Sequence, residues 1–172
     1  MELLIPGLIL VALMVYASTR IKRTAAAAFE AETIETDEFI IQKPDGFLNV
    51  INGDPKYSFE AYSKEFGGTG AEDFRQGRAN LTVSNAETID EAVSRIKDSG
   101  DEIVEDMTEV VGTKRYRVIE TTRVEKAVKF RVYYKIAEKG SKICVFEGVR
   151  LADASDEFGR KIEAFVHSFE LK

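Results

Sequence analysis

The chain has 172 residues, 31% of them charged and 44% hydrophobic, with a formal net charge of −6. That balance belongs to a folded domain and excludes a disordered tail, and a pI near 5.0 argues against nucleic acid as a partner. The single cysteine, Cys144, excludes an internal disulfide, and its setting in Ile143-Cys144-Val145-Phe146 reads as inert packing.

Residues Leu3 to Thr19 carry no charge, and nine of these seventeen are Leu, Ile or Val. Near the middle of a bilayer they would contribute on the order of −4 kcal/mol toward insertion. Pro6 falls in the first turn, where a missing N–H does no harm. A cleaved signal peptide would start with positive charge, but here the only early side-chain charge is Glu2, and Arg20, Lys22 and Arg23 follow the apolar run. Residues 1–21 are therefore expected to be an uncleaved, single-pass transmembrane anchor in the cell (inner) membrane. By the tendency of basic residues to stay inside, the N-terminus lies outside and the rest of the chain on the cytoplasmic side. Residues 22–38, rich in Ala, Glu and Thr, are expected to prolong this helix as a stalk or linker.

The folded domain is expected over 39–172. Phe47 to Ile51, Asn52-Gly53-Asp54-Pro55 and Tyr57 to Tyr62 read as two strands around a turn. Residues 63–79, with four glycines, read as a surface loop, and Asn80 to Val83 as a short strand. Thr88-Ile89-Asp90-Glu91 is a capping box opening a helix whose Ile89, Ala92, Val93 and Ile96 share one face. From Glu102 to Leu151 the apolar period drops to two, with breaks near Gly112, Glu125 and Gly140, which predicts a four-stranded antiparallel meander. A final helix, capped by Ser155, carries a Phe158, Ile162, Phe165, Val166 and Phe169 stripe that must pack on the sheet. The fold class is α+β.

This layout resembles the PsbP-like α/β/α sandwich family of extrinsic photosystem II subunits and related bacterial proteins. The resemblance covers about residues 40–172. It rests on the Pro44-Asp45-Gly46-Phe47 entry, the Val111-Gly112-Thr113 strand start and the closing Ile162-Glu163-Ala164-Phe165-Val166-His167-Ser168-Phe169. It implies a non-catalytic accessory or binding role. The expected function is thus a membrane-anchored accessory subunit of a larger integral membrane protein complex, photosynthetic or respiratory in kind. The alternative is a membrane-anchored enzyme with a carboxylate/Tyr pocket.

No catalytic, cofactor-binding or metal-ligating residues are assigned. His167, the only histidine, stands without a second His or Cys beside it and is expected to face solvent. Phe66-Gly67-Gly68-Thr69-Gly70 lacks the Lys-Ser/Thr of a phosphate loop. The acids from Asp98 to Glu109 lack the spacing of a calcium loop and read as a solvated edge. The segment from Lys114 to Lys142 carries a net +7 within an acidic chain. Strand alternation places Arg115, Arg117 and Arg123 on one face of one strand, and Lys129, Arg131, Tyr133 and Lys135 on one face of the next. If those faces align, they form a basic stripe for an acidic partner or anionic lipid head groups.

Overall fold

A computed structural model describes residues 4–85 and 87–172, with side chains described at residue 11 and from 13 onward except 86. Helix α1 (Leu4–Ala27) is followed by β1 (Glu32–Glu35), β2 (Phe39–Lys43), β3 (Phe47–Asn49), β4 (Phe59–Ser63) and β5 (Gly77–Ser84). Then come α2 (Ile89–Lys97), β6 (Glu102–Val111), β7 (Lys114–Glu125), β8 (Val128–Lys139) and β9 (Lys142–Leu151). Helix α3 (Asp156–His167) and β10 (Glu170–Leu171) close the chain.

Seven strands form one antiparallel sheet in the order β3-β4-β5-β9-β8-β7-β6, and β1-β2-β10 form a second. Helix α2 lies on one face of the large sheet, with Ala92, Val93 and Ile96 against Ile119, Val132, Tyr134 and Ile136. Helix α3 and the small sheet lie on the other, with Ile162, Phe165, Val166, Phe39 and Ile41 against Ala61, Leu81, Tyr116 and Phe146. The expected α+β sandwich, meander and capped helices are all present. Thr88 and Glu91 form the reciprocal capping box, and Ser155 accepts from the Phe158 N–H.

Phe165 is the centre of the α3 layer. Its ring lies 5.4 Å from Phe47, 5.5 Å from Phe146 and 6.0 Å from Phe59. Glycine lets the helix come this close: a Cβ at Gly148 on β9 would stand 2.4 Å from the Val166 side chain.

Two boundaries differ from expectation. The stalk over 22–38 is not helical throughout, because α1 ends at Ala27 and Glu32–Glu35 pairs with β2. Ile34 packs onto the core there, and the β-branched Thr33 and Ile34 suit a strand better than a helix. The supposed loop over 63–79 gives up its last three residues to β5, which runs the length of β9 from Gly77 to Ser84. The anchor expected over 1–21 depends mostly on apolar side chains at 3–10 and 12, which lie outside the described residues. Among the described residues no helix is long and apolar enough to cross a membrane.

Replacing Phe165 with Ala should cost about 3–5 kcal/mol, read as a lowered urea midpoint with the slope unchanged. A loss under about 1 kcal/mol would mean the aromatic layer is not the core described.

Candidate interaction surface

The position of the expected basic stripe depends on how β7 pairs with β8. Val118 faces Lys135 and Thr122 faces Arg131, and residues directly opposite in an antiparallel pair share a face. Lys129, Arg131, Tyr133 and Lys135 therefore lie on the α3 side, with Val118 and Glu120. Arg115, Arg117 and Arg123 lie on the α2 side, with Phe130 and Ile136. The single seven-residue stripe does not exist, since a one-residue offset in register moves a whole row to the opposite face.

Most of these charges are matched within the fold. Arg123 donates to Asp101 at 2.9 Å, to the Tyr134 hydroxyl at 2.7 Å and to Glu147 at 3.3 Å. Burial pushes the Tyr134 phenol far above its ordinary range, so it stays neutral there. Arg117 meets Asp106 at 2.5 Å, and Lys97 reaches the same carboxylate at 2.9 Å. The Arg117 guanidinium is the main reason the Asp106 carboxyl is held below the usual range, with Lys97 adding to it. Arg131 pairs with Glu120.

Lys135, only 1% exposed, is a core residue. Its ammonium donates to the His167 carbonyl at 2.7 Å, lies 3.3 Å from Glu109 and sits 4.4 Å over the Tyr116 ring. A cation at the last turn of α3 suits the negative end of that helix. His167 is exposed, as expected, with Nδ1 3.4 Å from the same Glu109. Cys144 is buried, and burial pushes its thiol up. Of the stripe, Arg115 and Lys129 remain as exposed cations, on opposite faces.

The surface left open lies at the edge of the large sheet. Strand β6 packs on β7 and on no other element to a comparable extent. Ile103, Val104, Met107 and Val110 are 37, 50, 42 and 61% exposed, and the register slips between Ile103 and Glu105 in a bulge. All four charged residues of β6 are acids: Glu102, Glu105, Asp106 and Glu109. The acidic run was legible in the sequence, but the open apolar edge beside it was not, because strand order is a tertiary property.

Two hollows flank this region and the opposite end of the same face. One of about 520 Å³, between α2 and β6–β7, is lined by Lys97, Thr108, Arg115 and Arg117 among others. The other, about 260 Å³, is lined by Glu60, Tyr62, Asp73, Arg75, Arg78 and Glu125 among others. There the Arg75 guanidinium lies 4.6 Å from the Tyr62 ring and 3.9 Å from the Phe66 ring and donates to the Ser63 and Lys64 carbonyls. Among the described residues no group of three or more His, Cys, Asp or Glu could hold a metal ion.

No protein-family profile matches the sequence, and no curated protein matches it. Solved structures do. Cyanobacterial PsbP (CyanoP) from Synechocystis sp. PCC 6803 aligns at 13% identity and a TM-score of 0.56, over 83% of this chain and 92% of its own. LpqN, involved in cell envelope biogenesis of Mycobacterium tuberculosis, aligns at 7% identity and a TM-score of 0.58, over 83% and 91%. The Saccharomyces cerevisiae Ran-binding protein Mog1p aligns at 11% identity and a TM-score of 0.54, over 83% and 96%. The domain has the PsbP-like fold, as the sequence resemblance implied; at these identities the likeness is one of fold.

The Asp106 site makes a pH prediction. A carboxyl whose folded pKa is depressed stabilises the fold at pH above its unfolded value, about 3.9, and that contribution is lost as pH falls through the folded value. Asp106→Asn should therefore lower the urea midpoint at pH 7 and leave it close to wild type at pH 2. An equal loss at both would show that packing, not charge, is what the carboxylate supplies.

Proposed function

We propose that this chain, whose domain has the PsbP-like fold, is a membrane-anchored, non-catalytic binding subunit of a larger integral membrane complex. The observation that carries the proposal is the exposure of α1. Val11, Leu13, Met14, Val15, Tyr16 and Ile21 are each 58–68% exposed, so these side chains have no apolar cover among the described residues. Apolar side chains in such a row need lipid or another protein around them. Together with the uncharged run from Leu3 to Thr19 and the basic residues at 20–23, this supports a bilayer as that cover, with residues 22–172 on the cytoplasmic side.

The joint between helix and domain supports a tether of fixed geometry. The Gly46 N–H donates to the Phe29 carbonyl at 2.7 Å. Lys43, 1% exposed, donates to the Glu30 carbonyl and, at 2.8 Å, to the Phe47 carbonyl. Burial pushes the Lys43 ammonium below its ordinary pKa, yet two carbonyls receive its protons. Only residues 28–31 separate α1 from β1, so the domain would be held close to the lipid surface. A complex embedded in the same membrane is then the natural partner, with anionic lipid head groups as a second contact. That Mog1p, a Ran-binding protein, carries this fold favours binding over catalysis.

One observation favours the enzyme alternative. The 260 Å³ hollow gathers Glu60, Asp73, Glu125 and Tyr62, the residue types that acid–base chemistry uses. Arg75, held by two carbonyls and two rings, supplies counter-charge there and makes a neutralised surface hollow the better account. Loss of a measured turnover in Glu125→Gln would reverse this ranking.

The binding reading is tested by fractionation and native sizing. The full chain should remain with membranes after alkaline wash and, in mild detergent, migrate well above its 19.2 kDa with a reproducible partner. Deleting residues 3–19 should release the domain into the soluble fraction. A monomer that leaves the membrane on washing would overturn the proposal. Protease added to intact cells should leave residues 39–172 untouched; their digestion from outside would reverse the orientation.

A further inference from the structure

The open edge of β6 presents main-chain groups, apolar side chains and uncompensated negative charge together. An edge strand turns alternate N–H and C=O groups outward, unpaired. Beyond the bulge, Glu105 to Val111 pairs with β7 without interruption, so that stretch offers a regular ladder of seven residues. Pairing with Glu120, Val118 and Tyr116 puts Glu105, Met107 and Glu109 in one row on the α3 side of the sheet. Asp106 is neutralised by Arg117 and Lys97. Glu109 meets Lys135 and His167 through Oε2 only, and Glu105 is exposed with no ion-pair partner among the described residues.

We infer that β6 is a docking edge for an extended basic segment of the partner, added as an eighth strand to the large sheet. This deepens the binding-subunit reading and rests on it. The row on β6 dictates the pattern that would fit: a Lys or Arg beside Glu105, an apolar residue beside Met107, and a second Lys or Arg beside Glu109. In the segment those positions are i, i+2 and i+4. Main-chain hydrogen bonds supply attachment, while alternate side chains supply selection. A second copy of this chain does not suit the same edge. Two β6 strands side by side would gather eight acids, with no Lys or Arg on either strand, and like charges across a ladder repel. The acids thus act in two ways, discouraging self-association and selecting a basic partner.

The probe is the capped peptide Thr-Lys-Thr-Val-Thr-Lys-Thr, with Glu in place of both Lys as the control. Each is titrated onto the full chain in detergent micelles. Binding is read by fluorescence anisotropy and by hydrogen exchange across residues 102–111. The Lys peptide should bind and slow exchange within β6, more weakly as salt rises. The Glu peptide should bind at least tenfold more weakly. Glu105→Lys and Met107→Lys, both at exposed positions, should each weaken the Lys peptide tenfold or more, while Glu157→Lys on α3 should leave it unchanged. Unaltered exchange in β6, or equal binding of the two peptides, would overturn the inference. If the native complex still forms in the sizing experiment, the binding-subunit reading stands and only the docking edge falls; if it does not form, both fall.

Discussion

The seat of α3 on the large sheet is the contact on which the rest of the domain depends. Phe165 sits among Phe47, Phe59 and Phe146, so one side chain joins the β3–β4 hairpin to β9 at the centre of the large sheet. Phe169, just past the helix, carries the contact to Phe39 and Tyr116, and β10 then pairs with β2. The small sheet, the helix and the large sheet are thus closed by one aromatic layer, whose rings lie at the separations where edge-to-face contacts are favourable. Gly148 makes this possible by leaving no Cβ between β9 and Val166.

Charge is arranged around that layer rather than displayed on it. Lys135 is taken into the core at the end of α3, where the His167 carbonyl, Glu109 and the Tyr116 ring replace its water. On the opposite face Arg123 is held between Asp101, Tyr134 and Glu147. Removing Arg123 would leave the Asp101 carboxylate, 7% exposed, without its ion pair, which costs more than forming the pair gained. The strongly basic segment of the chain is therefore spent largely on internal pairing. Beside the exposed Arg115 and Lys129, what remains outside is the opposite sign, on β6, together with apolar side chains that no described element covers.

The junction between α1 and the domain follows the same logic. The buried Lys43 and the Gly46 N–H bind the backbone at Glu30 and Phe29, so the last turn of α1 leads directly into the small sheet. In the proposed anchored arrangement, a domain fixed in this way would present a constant surface to a partner in the same membrane. A long edge strand is useful under that condition, because strand addition requires a defined direction of approach.

Local patterns in the sequence were enough for much of the fold. The capping box at Thr88, the cap at Ser155, the period-two alternation from 102 to 151 and the apolar stripe of α3 each depend on residues within a few positions of one another. Such signals survive without knowledge of distant partners. The Pro44-to-Phe47 entry and the 162–169 ending pointed in the same way to the PsbP-like fold. Three things depended on long-range pairing and were settled only by tertiary structure. Glu32–Glu35 became a strand because β2 was there to pair with it. Lys135 became a core residue because α3 ends above it. The basic residues of β7 and β8 parted to opposite faces because Val118, rather than Ile119, faces Lys135. Alternation along one strand determines which of its residues go together; which side of the sheet they reach is set by the register with the neighbouring strand, and a single sequence does not contain that number.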